Sequence, residues 1–492
     1  MSPSATALLV ILIIVTVATL LGVRAGARRR MDLEQWTVGG RGFGMVLMYL
    51  LMAGEVYTTF SFLGTSGWAY SKGGPTLYIL GQITLAYVVS FYILPQIWQA
   101  GRKYGLQTTS DFFGRRYGNE YLAAFVCVIG IAFMIPYLQL QLTGLGIIVE
   151  IASFGGINRT AAMTLAMALI VVFVLISGVR AVAWVAVLKD ALMIIAALSV
   201  GIGIPYIHFG GIGPMFQALK NARPSHLTMP RSTATLTHSW YVSTVLLTSL
   251  GFYMWPHMFG AIFTARSENT LRRNAVVMPL YTITLAFIFF AGFAAVLIVP
   301  RLADGDLSLL TVVQKSFPPW FLGVIGGSGA LTAMVPASIL LLSAATLFAK
   351  NFCRPMLAPS LSDDQVGRLA RIMVIVLSVV AVYFAIHSSA TIVALLLVGY
   401  AGVTQFFPGV VLGLYWKRAS TIAVFAGIVT GVAIVAGLML TKHDPVFGLN
   451  AGFLALCANF LVTVLLSLAS RPRPDGFVED RAQDAAVSQS LH

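Results

Sequence analysis

Three ionisable residues lie inside apolar stretches of this chain: Glu55, Lys189 and Asp190. A charge in lipid costs several kcal/mol, so such residues face a cavity and pair with one another, and they mark ion or proton pathways. Glu55 sits within Met52-Ala53-Gly54-Glu55-Val56-Tyr57-Thr58-Thr59, where a glycine, an acid and three hydroxyl residues interrupt an apolar run. A second interruption reads Gly251-Phe252-Tyr253-Met254-Trp255-Pro256-His257. A helix broken in mid-membrane frees N–H groups that can hold an anion and carbonyls that can hold a cation. The chemistry on offer is therefore the binding and release of a small solute together with an ion. A lysine suits proton exchange because its pKa falls readily on burial. Three readings of Lys189 stay open: a removable proton, a fixed ion pair with Asp190 or Glu55, or an ammonium that snorkels to the lipid interface.

The elements that must position these groups are membrane helices. Of 492 residues, 58% are hydrophobic and 10% charged, with a mean hydropathy of +0.88. Soluble domains carry roughly 25% charged residues. A span takes roughly 20 apolar residues. The pattern yields thirteen, numbered zero to twelve, at 6–23, 44–69, 74–97, 119–150, 159–177, 182–206, 238–263, 276–300, 319–349, 366–387, 390–416, 420–440 and 447–469. The net charge of +14 lies in short loops between spans and forms no stripe for nucleic acid. With the N-terminus outside, 22 of the 31 basic residues fall on the inner side and 8 on the outer, with Lys189 inside a span. This bias sets an inner-membrane topology with a cytoplasmic C-terminus. The first span has no preceding Lys or Arg and is followed by Arg24, Arg28, Arg29 and Arg30, so it reads as an uncleaved span. Cys127, Cys353 and Cys457 lie in or beside apolar runs and suggest neither disulfides nor a metal centre.

Five spans separate the two interruptions. Breaks at matching positions of two halves point to a transporter binding site between inverted repeats, here spans one to five and six to ten. The expected fold is all-α, a polytopic membrane protein of about thirteen helices with a five-plus-five inverted-repeat core. The expected division is an extra helix and loop at 1–43, the core at 44–416, two further helices at 417–470 and a polar tail at 471–492.

Several motifs resemble those of the sodium:solute symporter family. They are Trp36-Thr37-Val38-Gly39-Gly40-Arg41 before span one, Gly105-Leu106-Gln107-Thr108-Thr109-Ser110-Asp111-Phe112 after span two, and Gly178-Val179-Arg180-Ala181-Val182-Ala183-Trp184 at span five. Pro256-His257, Pro408 and Leu414-Tyr415-Trp416-Lys417-Arg418 complete the set. Val187-Leu188-Lys189-Asp190, Arg272-Arg273-Asn274-Ala275 and Tyr137-Leu138-Gln139-Leu140-Gln141 resemble the bacterial monocarboxylate permease branch. The resemblance implies a LeuT-type core that moves a small solute by alternating access, with lipid as its surroundings.

The chain departs from the family where sodium would bind. Sodium-coupled members place adjacent hydroxyl residues in span eight, at a fixed distance before an S-x-x-T-x-F motif. Here that motif is Ser343, Thr346 and Phe348, and counting back lands on Val335 and Pro336. Trp-Thr-Asp of span five becomes Trp184-Val185-Ala186, so the acid is missing. Sodium wants oxygen ligands, as the harder divalent ions do. Thr332 and the carbonyls near Gly54 and Tyr57 remain. An ammonium from Lys189 could stand where sodium would, which favours H+ over Na+ as the coupling ion. Glu55, Lys189, Asp190 and Thr332 are thus the expected coupling-ion residues. Gly54, Thr58, Thr59, Gln139, Tyr253 and Gln405 are expected around a small organic acid. The side chains of Gln139, Gln141 and Thr143 could equally be interhelical glue, and His257 reads more simply as a packing residue.

No H-E-x-x-H, phosphate loop or Ser/Cys–His nucleophile pair is visible, so neither enzymatic activity nor a bound cofactor or metal is expected. A channel would favour charged rings or carbonyl filters, and a transporter-like sensor would carry a signalling domain after the core.

Overall fold

The computed structural model describes residues 1–26, 41–176, 179–230 and 235–470. The Trp36–Gly40 motif, Arg28–Arg30, Gly178 and the tail from 471 lie outside the described residues. The described residues contain no β-strand. Eleven helices are long and apolar enough to cross a membrane, thirteen if each of two bent pairs counts as one span.

In chain order the helices that matter below are α1 (Pro3–Gly26), α2 (Met45–Val56), α3 (Phe60–Ser71), α4 (Tyr78–Tyr104), α5 (Thr109–Tyr117), α6 (Glu120–Ala152) and α7 (Arg159–Ile176). Next come α8 (Val179–Phe209), α9 (Ile212–Ala222), α10 (His238–Gly251), α11 (Pro256–Ile262), α12 (Glu268–Ile298), α13 (Ser308–Ser316) and α14 (Pro319–Leu347). The last are α15 (Asp363–His387), α16 (Ile392–Val403), α17 (Phe407–Tyr415), α18 (Thr421–Leu440) and α19 (Ala451–Ala469). All thirteen expected spans have a helical counterpart. Three short helices were not anticipated: α5, α9 and α13.

Both expected breaks are present. The pair α2/α3 bends by 51° and the pair α10/α11 by 50°. The second break has a local cause. Trp255 precedes Pro256, whose ring pushes its neighbour out of the helical region, and Trp255 adopts φ −57°, ψ 129°. The first has no proline. Tyr57 leaves the helix at φ −90°, ψ 92°. In a continuous helix the carbonyls of Gly54, Val56 and Tyr57 would accept from the N–H four residues on. Here Ser61 Oγ donates to the Val56 carbonyl. Lys189 Nζ donates to the other two, at 2.6 Å to Gly54 and 2.9 Å to Tyr57. The break is thus held open by side chains that take the place of lost backbone donors.

The two broken spans are tied together. Phe43 donates its N–H to the Thr264 carbonyl (3.0 Å) and accepts from Arg266 N–H (2.9 Å), joining the start of α2 to the end of α11. Trp98 Nε1 of α4 donates to Ala265 O at 2.8 Å. Around them α14 packs on both α6 and α8, with α1 against α8 and α14.

At the face that carries the α12–α13 loop, Asp306 closes a seam. Its Oδ2 accepts the Ile392 N–H at 2.9 Å, at the start of α16. Its other oxygen lies over Gly67 of α3, where an added Cβ would come within 2.4 Å. Burial pushes the Asp306 carboxyl up to about 7 from 3.8; Asp304 adds to the rise, while the Ile392 N–H and Arg159 oppose it. Between those two values the folded state holds a proton that the unfolded state has lost, so this group makes stability fall as pH rises. Asp306→Asn should flatten the stability-versus-pH profile over that window, by up to about 1.4 kcal/mol per pH unit. Thermal unfolding in detergent at a series of pH values measures it, and an unchanged slope would contradict this account.

A second expectation concerns packing. At Gly292 of α12 a Cβ would lie 2.5 Å from the Ser66 carbonyl oxygen and 2.9 Å from Ser66 Cα, backbone that cannot give way. At Gly213 a Cβ meets nothing within 4 Å. Gly292→Ala should cost about 1–3 kcal/mol and lower the unfolding temperature, whereas Gly213→Ala should leave it unchanged or raise it.

Candidate functional site

The first break lies against α8. Lys189 is fully buried and offers three N–H donors. Two go to the carbonyls of Gly54 and Tyr57, and Asp190 Oδ1 stands 3.2 Å from the same nitrogen. Tyr281 of α12 donates its hydroxyl to that carboxylate oxygen at 2.9 Å. The snorkelling reading is therefore excluded by geometry, and the partner of Lys189 is Asp190 and not Glu55.

A Cβ built on Gly54 would lie 3.4 Å from Ala186 Cβ, 3.5 Å from Lys189 Nζ and 3.8 Å from Val335 Cγ1. The two positions at which the sequence resemblance led to an expectation of oxygen ligands thus stand with the amine around Gly54. Thr332 donates its hydroxyl to Gly329 O of its own helix at 2.6 Å.

Glu55 lies on the other side of α2. Its Oε2 is 3.2 Å from His257 Nε2, at the start of α11, with both side chains almost fully buried. Neither carboxylate oxygen and neither ring nitrogen has a hydrogen bond of good geometry. The Tyr137 ring of α6 stands 5.5 Å from the imidazole. Trp255 stacks nearby, 4.8 Å from Tyr137 and 5.3 Å from Tyr400.

The remaining expected residues divide. Thr59 does sit at the break, but its N–H donates to Gln141 Oε1 at 3.3 Å, so this freed backbone group is already used. Thr58 lies at the Tyr137 hydroxyl. Gln139 is buried with an unpartnered amide nitrogen, as is Gln141. Tyr253 packs edge-on against Phe252, with Ser90 of α4 at its hydroxyl. Gln405 is turned away from the break. Its Nε2 donates to Ala401 O (2.9 Å) and Gly452 O (3.3 Å), and its Oε1 accepts from Asn459 Nδ2 (3.1 Å). Every polar atom of that side chain is engaged in tying the turn between α16 and α17 to α16 and α19, which corrects the expectation that it meets solute.

Sequence reasoning read His257 as a packing residue and left Gln141 open between cavity lining and helix packing. A lone histidine in a span carries no signal of its partner; only the position of Pro256-His257 opposite Glu55 in the paired breaks could have raised it.

A cavity of about 40 Å³ reaches His257 from the face that carries residues 105–118, lined by Leu51, Gln107, Thr108, Pro256 and Thr346 among others. Beside its lining residues Gln107 and Thr108, whose N–H groups donate to it, Asp111 is gripped by Lys350 Nζ (2.7 Å) and Asn351 Nδ2 (2.7 Å). Burial pushes that carboxyl up, but Lys350, Asn351 and the Gln107 N–H outweigh it and hold it below the usual carboxylate range.

Such a pair of mid-membrane breaks, with ionisable groups in each, defines a secondary transporter of LeuT type. The model of the sodium:solute symporter family matches residues 36–431, and the chain belongs to that family. It is 44% identical over 497 residues to the Bacillus subtilis (strain 168) "Uncharacterized symporter YhjB", covering 98% of this chain and 99% of that one. It is 27% identical to the "Monocarboxylate transport permease protein" of Rhizobium johnstonii (strain DSM 114642 / LMG 32736 / 3841), covering 94% and 96%. Among solved structures it shares the fold of a Na+-coupled sialic acid symporter, with TM-score 0.79, 17% identity and 95% and 98% coverage. Mhp1, a nucleobase-cation-symport-1 family transporter, matches with TM-score 0.58, 12% identity and 88% and 92% coverage. These relatives are transporters, not enzymes, and the chain is a multi-pass membrane protein.

Removing one member of a buried pair strands the charge of the other. Asp190→Leu should therefore cost about 3–5 kcal/mol, whereas Asp190→Asn, which keeps an oxygen for the amine and the Tyr281 hydroxyl, should cost less. Thermal unfolding of the three proteins checks this; an Asp190→Leu variant as stable as the wild type would refute the pairing.

Proposed function

We propose that the chain imports a short monocarboxylate, such as lactate or pyruvate, together with a proton across the cytoplasmic membrane. One observation carries the coupling: the Lys189 ammonium sits on the two carbonyls of the span-one break, beside Ala186 and Val335, where sodium-coupled members need oxygen. A cation held by covalent attachment cannot be carried across; only its proton can. Proton exchange at this amine then opens and closes the break, with Asp190 and Tyr281 as its immediate partners. The similarity to a monocarboxylate permease supports the solute class. The N-terminus lies outside, so that the face carrying residues 105–118 and its cavity is cytoplasmic. The extra helix α1 and the pair α18/α19 flank the five-plus-five core.

Uptake of labelled lactate into proteoliposomes, with each ion gradient imposed alone, tests the reading. An inward proton gradient should concentrate lactate without sodium, up to about tenfold per pH unit for one proton per solute. Lys189→Ala should equilibrate lactate without concentrating it, or not move it at all. Accumulation driven by sodium alone would replace this mechanism with sodium symport, and proton-driven accumulation by Lys189→Ala would remove the amine from it.

A further inference from the structure

Glu55 and His257 form a second buried pair that the coupling step at Lys189 does not use. We infer that His257 is the receptor for the solute's carboxylate, and that Glu55 occupies the receptor when solute is absent. The inference rests on the monocarboxylate reading and places its anion-binding group.

Four observations support it. First, the pair joins the two broken spans, α2 and α11, next to their breaks. Second, a carboxylate already rests 3.2 Å from the imidazole, yet without alignment for a hydrogen bond. Buried polar groups are almost always paired, so four unpaired polar atoms in one contact describe a site built for another occupant. Third, the neighbouring donor is idle. Gln141 lies one helical turn beyond Tyr137 on the same face of α6, and its Nε2 has no partner while its Oε1 holds the Thr59 N–H. An imidazole N–H and an amide N–H give two donors for the two oxygens of a carboxylate. The backbone N–H of Thr59, the alternative donor, is already taken. Fourth, the site is reachable. His257 lines the cavity that opens toward residues 105–118, and about 40 Å³ is room for water.

In the proposed exchange, the solute carboxylate takes the place of the Glu55 carboxylate at His257 Nε2, and Glu55 turns to the cavity water. No covalent bond changes. Tyr137 on α6 faces both members of the pair, and Asp190 on α8, with its partner Lys189, lies within electrostatic reach of Glu55. Within this pair the imidazole is the side chain that can donate to an added carboxylate. The proton that enters with the solute offsets that charge over the cycle.

The test is equilibrium binding of lactate and of its uncharged amide, lactamide, to the purified full-length protein in detergent by calorimetry. The wild type should favour lactate by about tenfold or more, the size of a charge-assisted hydrogen bond. His257→Gln should erase that preference by weakening lactate alone. Glu55→Gln should bind lactate more tightly than the wild type, because it removes the resident anion. A purely structural pair would weaken lactate and lactamide alike in both variants. Lactate preference retained in His257→Gln overturns the inference. Should that variant fail to fold, Glu55→Gln decides alone, and weaker lactate binding there overturns it equally. A wild type that binds no monocarboxylate overturns the solute class itself, and with it this site.

Discussion

The ammonium of Lys189 on the carbonyls of Gly54 and Tyr57 is the contact from which the rest of the site follows. In lipid an unsatisfied carbonyl costs several kcal/mol, so a span can be broken only where something else donates. A metal ion meets that need in a site rich in oxygen. Here the neighbouring positions are Ala186 and Val335, which supply none, and the donor comes on a side chain. An amine brings its own N–H groups and needs fewer oxygens around it than a bare ion does.

The two breaks have different physical origins, and this explains how each could be read. Pro256 fixes the second locally through its effect on Trp255, so the sequence displays it. The first break depends on donors from Lys189, more than a hundred residues away, and from Ser61. Gly54 and its polar neighbours hinted at it, but the cause lies in tertiary contact. Spans were legible for the same reason in reverse: apolar length is a local property, and all thirteen were visible. The loop helices α5, α9 and α13 were not, because short helices outside the bilayer lack that signal; only the Thr108–Asp111 capping box marks α5.

Side-chain roles followed the same division. Lys189 could be placed from sequence because a family pattern fixed the positions of Val335 and Ala186 around it. Gln405 could not. Its type suits solute binding as well as helix packing, and what decides between them is Asn459 on α19, which no motif connects to it. The Glu55 partner of His257 was hidden on the same ground, since it enters only when α2 and α11 meet.

The two pairs occupy successive residues of one helix end. The Gly54 carbonyl binds α8 through Lys189, and the Glu55 side chain binds α11 through His257. These contacts differ in kind. α2 and α11 are themselves joined through Phe43, Thr264 and Arg266, so the Glu55–His257 contact lies within one unit. α8 packs on α2 and also on α1, α12 and α14, so the Lys189 contact ties that unit to its surroundings. In the proposed cycle a change at the second contact alters what α2 can hold, and a change at the first alters how α2 sits in the membrane. A rigid helix end only two residues long links them, which is the shortest physical connection by which occupancy of a solute site could govern the grip of a coupling site.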